Sequence, residues 1–267
     1  MIWIISLLPL LLVGGYMAYK NTQEVQINKV DVKSDNTAAP LHILHLSDLH
    51  LENISISPAQ LYEKLKQEPY DMIALTGDFL DRKWTIPKLV PYLEVLNDLK
   101  PKYGIYVVFG NHDYVLRPHN FKRLKKTLEN HQCKVLQNAN DQLIINGRSI
   151  NVIGIDNYST GHSDIEAAYQ GIHQGYNLVL THDPNVVLEM DDYHFDYLLS
   201  GHFHGGQILY PKAYHLVKMG KLPRMNMIKG LHNHKGKSFY ISEGLGQTGL
   251  NIRIGSRPEV TMHQIAE

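Results

Sequence analysis

Five short runs of apolar residues in this chain each end abruptly in a cluster of polar, mostly Asp, His and Asn, residues. The runs are rich in Val, Ile, Leu and Tyr, which is typical of buried β-strands. They cover residues 41–46, 72–75, 105–109, 178–180 and 197–199. Because ligands bind beyond the carboxyl ends of the strands in open α/β sheets, the five clusters are expected to face one region.

Helical patterns separate the first of these strands, at residues 58–67, 88–99 and 118–129. The first helix has Ser57 as its expected N-cap and Pro58 at its first position. Strands alternating with helices predict an α/β core with a substantial parallel sheet. Further strand patterns in the second half predict a second sheet packed on the first; they lie at residues 143–145, 150–155, 208–210, 239–241 and 259–263.

The amino terminus carries an uncharged apolar run over residues 2–19, followed by Lys20. Eighteen helical residues span roughly 27 Å, close to the roughly 30 Å of a bilayer core, so we expect a single-pass membrane anchor at 1–20. A cleaved signal peptide is the alternative. Lysines after the run weakly favour a cytoplasmic catalytic domain, but the membrane side stays open. Residues 21–40 are expected to form a polar linker with at most one edge strand, and 41–267 the folded domain.

Composition excludes several classes of protein. The 26 basic and 26 acidic residues balance, whereas a general nucleic-acid binder usually shows a basic excess, so no nucleic acid is expected as a partner. A single cysteine, Cys133, excludes an internal disulfide framework and a cysteine-only zinc cluster. The chain instead contains 16 histidines, several of them beside Asp, Asn or Gly, which indicates a metal site.

The polar clusters combine imidazole and carboxylate groups. They read Ser-Asp-Leu-His from residue 47, Thr-Gly-Asp-Phe-Leu-Asp from 76, Gly-Asn-His-Asp from 110, Thr-His-Asp from 181 and Ser-Gly-His-Phe-His from 200. Each cluster alone is more often a turn or a solvated strand end. Together, in this order, they form the ligand set that divalent transition metals require.

These five blocks resemble the pattern D-x-H, G-D-x-x-D, G-N-H-D, a lone H and G-H-x-H of the calcineurin-like metallophosphoesterases. The resemblance runs from about Leu41 to the end of the chain, and it implies a four-layer αββα sandwich. The segments 200–207, 244–250 and 252–259 are similar to a membrane-anchored bacterial branch of UDP-2,3-diacylglucosamine pyrophosphatase-like phosphodiesterases. In that branch Glu243 stands where arginine is frequent, which bears on the substrate's charge.

The resemblance also implies roles for seven metal ligands. One ion would be held by Asp48, His50 and His204, the other by Asn111, His182 and His202, and Asp78 would bridge the two. The family uses two divalent ions, with manganese, zinc and iron as the candidates. A bridging hydroxide would then attack the phosphorus, because bound ions lower the pKa of water.

Residues around the ligands receive supporting roles. His112 would protonate the leaving oxygen, with Asp113 orienting its ring. Asp81 would orient a ligand or the adjacent loop. Arg82 would touch the phosphate, or it is a plain surface charge.

Residues 207–242 contain no acidic side chain but several lysines and methionines. One interpretation is a solvated loop. The other is a flap that contacts substrate or a membrane surface through Lys218, Lys221 and Arg224, since methionine offers adaptable apolar surface and lysine binds anionic headgroups.

The expected function is therefore a metal-dependent phosphodiesterase or pyrophosphatase acting on a membrane-proximal or lipid-linked substrate. A phosphomonoesterase or phosphoprotein phosphatase is one alternative. A metal-binding scaffold without activity is the other.

Overall fold

Two six-stranded sheets form the centre of the molecule, and the computed structural model describes residues 2–33, 40–145, 147–209 and 213–266. The strands are β1 Gln26–Lys33, β2 Leu41–Leu46, β3 Met72–Thr76, β4 Ile105–Val108, β5 Cys133–Val135, β6 Ala139–Ile145, β7 Arg148–Gly154, β8 Tyr176–Leu180, β9 Tyr197–Ser200, β10 Gly230–His234, β11 Lys237–Ile241 and β12 Glu259–Ala266. The helices are α1 Ile2–Lys20, α2 Pro58–Leu65, α3 Ile86–Asp98, α4 Pro118–Asn130, α5 Ile165–Tyr169 and α6 Lys221–Arg224.

The first sheet has the order β1-β12-β2-β3-β4-β5, and the second has the order β10-β11-β9-β8-β7-β6. Strands β2 to β5 run parallel, and so do β7, β8, β9 and β11. Only β12 against β2 and the two edge strands of the second sheet, β6 and β10, pair antiparallel. The predicted mixed α/β fold with two sheets is confirmed.

Apolar side chains fill three layers. One core lies between α2, α3, α4 and the outer face of the first sheet, and includes Leu61, Leu89 and Leu124. A second core joins the inner faces of both sheets, where Ile43 and Leu178 are fully buried. The third lies on the outer face of the second sheet, beneath α5, α6 and short 3₁₀ turns. The two sheets therefore pack face to face across the central core.

The predicted strand boundaries hold for most of the chain, since β2 spans the predicted residues and β3 and β9 differ by one. The strand predicted at 208–210 is wrong: Ile208 forms only an isolated bridge with Ile254, and Tyr210 lies outside the described residues. The predicted linker contributes the edge strand β1, which pairs with β12 along its whole length. The sheet thus extends before Leu41.

The predicted membrane anchor is wrong. Among the described residues, no helix combines the length and the apolar character needed to cross a membrane. Helix α1 contains Pro9, and its carboxyl end is fixed to the domain: the N–H of Arg253 donates to the Ala18 carbonyl at 2.9 Å, and the Asn21 side chain donates to the Arg253 carbonyl at 2.9 Å. Ala18 and Thr22 are buried by this contact.

Helix α2 begins with the predicted cap, and its contribution to stability can be measured. Ser57 accepts a hydrogen bond from the Gln60 N–H, and the Gln60 side chain accepts one from the Ser57 N–H. We expect Ser57→Ala to lower the free energy of unfolding by about 1 kcal/mol, because a helix donor loses its partner. Urea denaturation measures this. The exposed Lys64→Ala in the same helix is the control and should change stability by less than about 0.5 kcal/mol.

Candidate metal centre

The polar clusters converge where the two sheets meet. Residues after β2, β3 and β4 come from the first sheet, and residues after β8 and β9 come from the second. Three groups of side chains place their ligand atoms within 4.8 Å of one another, so that each could hold a metal ion. Two of the groups contain only buried residues, as expected for a resident ion and not a surface charge cluster.

The first buried group is Asp48, His50 and His204. Asp48 Oδ1 lies 3.3 Å from His204 Nε2 and 4.0 Å from His50 Nε2. Asp48 is also anchored from the second sheet, because the His202 N–H donates to its Oδ2 at 3.1 Å. The three predicted ligands of one ion therefore come together.

The second buried group is Asp78, His182 and His202. The carbonyl of Thr76 accepts a hydrogen bond from His182 Nδ1 at 2.7 Å, which turns Nε2 toward Asp78. Asp78 Oδ2 lies 3.1 Å from His182 Nε2 and 3.6 Å from His50 Nε2. One carboxylate oxygen thus lies between the two groups, where a bridging ligand would be needed.

Asn111, the remaining predicted ligand, lines a small cavity of about 110 Å³ together with Asp78, His202 and His204. Its Oδ1 is buried without a hydrogen-bond partner among the described residues, as are His50 Nε2 and His204 Nδ1. Buried polar atoms without partners are costly. Asn111 Oδ1 and His50 Nε2 offer the oxygen and nitrogen ligand atoms that divalent transition metals accept.

Charge also couples the two groups. Burial alone would raise the pKa of Asp78, but the neighbouring His182 and His50 hold it well below its usual range. Burial would lower the pKa of His182, yet Asp78 and Asp48 raise it to about 10. His204 instead is dominated by burial, which lowers its pKa to about 3 despite Asp48.

The backbone at the ligands is unusual. Positive φ values occur at Asp48, His50, Asp78, His202 and His204. Left-handed conformations are unfavourable for residues with a Cβ and cluster at functional sites, where the surrounding fold enforces them. Here the tight turns direct the side chains back over the strand ends.

The carboxylate beside His112 is not the predicted one. Asp81 Oδ1 lies 2.8 Å from His112 Nδ1 and 3.4 Å from His50 Nδ1. Burial would lower the pKa of His112, but the neighbouring carboxylates of Asp81 and Asp78 outweigh it and raise that pKa to about 9. Asp81 thus orients both a predicted ligand and the predicted acid.

Asp113, predicted to orient His112, is engaged elsewhere. Its buried carboxylate accepts hydrogen bonds from the N–H groups of Asp78, Phe79 and Gly110, each at 2.9 Å. The side chain therefore ties the turn after β3 to the turn after β4. The prediction failed because adjacency in sequence does not tell which way a side chain points from a tight turn.

Arg82 is exposed, and its guanidinium lies 5.3 Å from the ring centre of Trp84. Its N–H donates to Glu52, which also accepts from the N–H of Asp81 at 3.1 Å. Glu52 was not predicted, although it braces the turn that carries Asp81.

Like Glu52, Arg253 has a structural role at the site that the sequence did not predict. It is fully buried and donates to the carbonyls of Glu243 at 2.7 Å, Gly244 at 3.0 Å and Gly246 at 2.7 Å. The Gly246 N–H donates in turn to the Asp48 carbonyl at 2.7 Å. Arg253 thus holds the 243–246 loop in contact with the turn that contains Asp48.

The described part of the lysine- and methionine-containing segment after residue 212, called the basic segment below, packs against the second sheet. Leu216 and Leu222 are buried there, whereas Lys218 and Lys221 are exposed and line a cavity that His202 also lines. Arg224 Nε donates to the Val217 carbonyl at 3.1 Å within the segment itself. Of the three predicted flap cations, two therefore face a cavity.

Comparison with known proteins agrees with this centre. The model of the calcineurin-like phosphoesterase family matches residues 41–206. The chain is 62% identical to the uncharacterized metallophosphoesterase YkoQ of Bacillus subtilis, covering 94% of each protein. It is 27% identical to the phosphodiesterase YaeI of Escherichia coli, covering 94% of this chain and 92% of that protein. It is 26% identical to the UDP-2,3-diacylglucosamine pyrophosphatase LpxG of Chlamydia trachomatis, covering 83% and 82%. The pyrophosphatase of the predicted branch is thus a distant homologue.

The closeness of Gly201 to the first ligand group gives a test of the centre. A Cβ on Gly201 would lie 1.9 Å from Ser47 Oγ and 2.2 Å from Asp48 Oδ2. We expect Gly201→Ala to displace the Asp48 carboxylate and weaken Mn²⁺ binding by about tenfold or more, as for disrupted ligand support elsewhere. Titration calorimetry measures this. Gly14→Ala, where a Cβ would meet nothing within 4 Å, is the control, and equal binding by both variants would contradict the assignment.

Proposed function

The chain belongs to the calcineurin-like phosphoesterase family, and from this premise we propose that it is a phosphodiesterase or pyrophosphatase working with two divalent metal ions. The family and its relatives make the chain a phosphoester hydrolase, so a metal-binding scaffold without activity is set aside. The observation that carries the proposal is the position of Asp78 between the two buried ligand groups.

In this proposal Asp48, His50 and His204 hold one ion, and Asn111, His182 and His202 hold the other. Asp78 serves both. When bound, such ions neutralise the phosphate oxygens and lower the pKa of water. The hydrogen bond from His182 Nδ1 to the Thr76 carbonyl supports this arrangement, because it leaves Nε2 as the ligand atom.

His112 is proposed to supply the proton that the leaving oxygen needs. Its Nδ1 faces Asp81, so Nε2 is the nitrogen available to a substrate in the small cavity that His112 lines. Asp81 fixes the ring and favours its protonated form. Donation to the departing oxygen is general acid catalysis, and Asp81 acts as a positioning residue.

Two relatives support diesters and pyrophosphates over monoesters as substrates. YaeI is a phosphodiesterase, and LpxG is a pyrophosphatase whose named substrate carries acyl chains. A lipid-linked pyrophosphate is therefore one candidate substrate. Manganese, zinc and iron remain the candidate metals, because the mixed nitrogen and oxygen ligands accept all three.

Metal removal tests the proposed reaction. We expect chelator treatment to abolish hydrolysis of bis-p-nitrophenyl phosphate, because the proposed reaction needs bound metal ions. Added Mn²⁺, Zn²⁺ or Fe²⁺ should restore the hydrolysis. Release of p-nitrophenol and elemental analysis of the purified protein are the measurements. Faster turnover of p-nitrophenyl phosphate than of the diester would favour the phosphomonoesterase alternative, and turnover unaffected by chelator would sink the metal mechanism.

A double-mutant cycle tests the pair of Asp81 and His112. We expect His112→Ala to lower kcat about 10²- to 10⁴-fold, the usual contribution of general acid catalysis. Asp81→Asn should lower kcat about 10- to 100-fold by losing ring orientation. If the pair acts as one unit, the double variant should resemble His112→Ala alone. Multiplicative losses would show that Asp81 acts independently of His112.

A further inference from the structure

A second, larger cavity adjoins the metal centre. It has a volume of about 460 Å³, and its lining includes Tyr158, Leu188, Lys218 and Lys221. His202 and Met219 line both this cavity and the smaller one at the ligands. A phosphoester held at the metal centre would therefore extend one of its substituents into the larger cavity, which is called the Lys218 cavity below.

The cations of this cavity differ from the three other lysines that the structure describes between residues 213 and 242. Lys229 pairs with Glu243 at 2.9 Å, and Lys235 pairs with Asp191 at 2.5 Å. Lys237 donates to main-chain carbonyls, including that of Tyr193 at 2.7 Å. By contrast, the ammonium groups of Lys218 and Lys221 have no hydrogen-bond or ion-pair partner in the part of the chain that the structure describes.

The carboxylates of the cavity are committed to other groups. Asp183 is buried, and its Oδ1 accepts hydrogen bonds from the N–H and the side chain of Asn185. Glu189 accepts one from the Tyr158 hydroxyl at 3.2 Å. These hydrogen bonds orient the two carboxylates without neutralising them, so the wall carries two negative and two positive groups. Among the described residues, Lys218 and Lys221 are the cations of the wall that have no ion-pair partner.

The wall that carries these lysines is held in place. The Asn185 side chain donates to the Met219 carbonyl at 2.8 Å and accepts from the Leu222 N–H at 3.1 Å. Gly220 has a φ of +127°, and a Cβ there would lie 2.3 Å from Asn185 Oδ1. A single buried side chain therefore fixes the backbone between the lysines next to the turn that carries His182.

We propose that the Lys218 cavity is a specificity site for a substrate that carries a second anionic group beyond the scissile phosphate. Lys218 and Lys221 bind that second anion, a further phosphate or a carboxylate, while Tyr158, Leu188 and Met219 contact the apolar part that joins it to the phosphoester. The proposal rests on the phosphoesterase function proposed above, and it names the class of substrate that this chain selects.

Two matched substrates test the proposal with the full chain. They are the p-nitrophenyl ester of thymidine 5′-phosphate and the same ester carrying an additional 3′-phosphate, and both release p-nitrophenol from the same kind of bond. We expect kcat/KM to be about tenfold higher with the additional phosphate, as for two partly exposed charge pairs. Lys218→Gln/Lys221→Gln should abolish this preference and leave bis-p-nitrophenyl phosphate turnover within about twofold of the unchanged protein.

Two further variants control for charge and folding. Lys218→Arg/Lys221→Arg should keep the preference, because it keeps the cations. Lys126→Gln, which removes an exposed charge on α4, should change neither the preference between the two thymidine esters nor the turnover of bis-p-nitrophenyl phosphate. Equal kcat/KM for the two thymidine esters, or a preference that survives in the glutamine variant, overturns the proposal while leaving the phosphodiesterase intact.

A binding measurement separates this inference from the enzyme function. Thymidine 3′,5′-bisphosphate is titrated by calorimetry into chelator-treated protein, where no hydrolysis occurs. We expect the glutamine variant to bind about tenfold more weakly than the unchanged and Lys126→Gln proteins. Loss of affinity without turnover of any ester would contradict the proposed function alone, and equal affinity of all variants would contradict the specificity site.

Discussion

Burial of two neighbouring carboxylates is the constraint on which this structure depends. Asp48 and Asp78 are at most 1% exposed, and an ionised carboxylate at that depth is costly without positive charge beside it. Imidazoles from both sheets lie beside them, and His50 Nε2 and Asn111 Oδ1 have no hydrogen-bond partner among the described residues, as atoms that could bind a cation. The turns at the strand ends approach these carboxylates closely. Glycine is required at 110 and 201, because a Cβ at either position would overlap a carboxylate oxygen.

The meeting of these side chains could be predicted from sequence, because each of the five blocks follows a buried strand. A strand of known direction fixes where its last residue lies, so the order of the blocks indicates that the seven predicted ligands lie near one another. Side-chain direction inside the turns could not be predicted in the same way. Asp81 is the last residue of the second block and Asp113 the last of the third, and the fold alone shows that Asp81 reaches His112 while Asp113 accepts from three main-chain N–H groups.

The amino-terminal and basic segments were harder to predict for a related reason. Their roles depend on contacts with parts of the chain more than 30 residues away, which no local pattern reports. Strand β1 finds its partner in β12, and the end of α1 is fixed by the main chain of Arg253. In the segment after residue 212, composition suggested a solvated loop or a flap, whereas Asn185 fixes the turn at Met219–Leu222 beside His202, a predicted ligand.

The carboxyl-terminal quarter is as much part of the centre as the ligand blocks. The family model matches residues 41–206, yet the turn at Asp48 is covered by the loop that Arg253 fixes. A buried guanidinium is costly unless its N–H groups find acceptors. The terminal nitrogens of Arg253 donate to the carbonyls of Glu243, Gly244 and Gly246, whereas its Nε has no hydrogen-bond partner among the described residues. Gly244 and Gly246 in turn lie against Asp48 and Leu49. Replacing the buried cation would therefore release this loop from the first ligand turn, although Arg253 itself binds no ion.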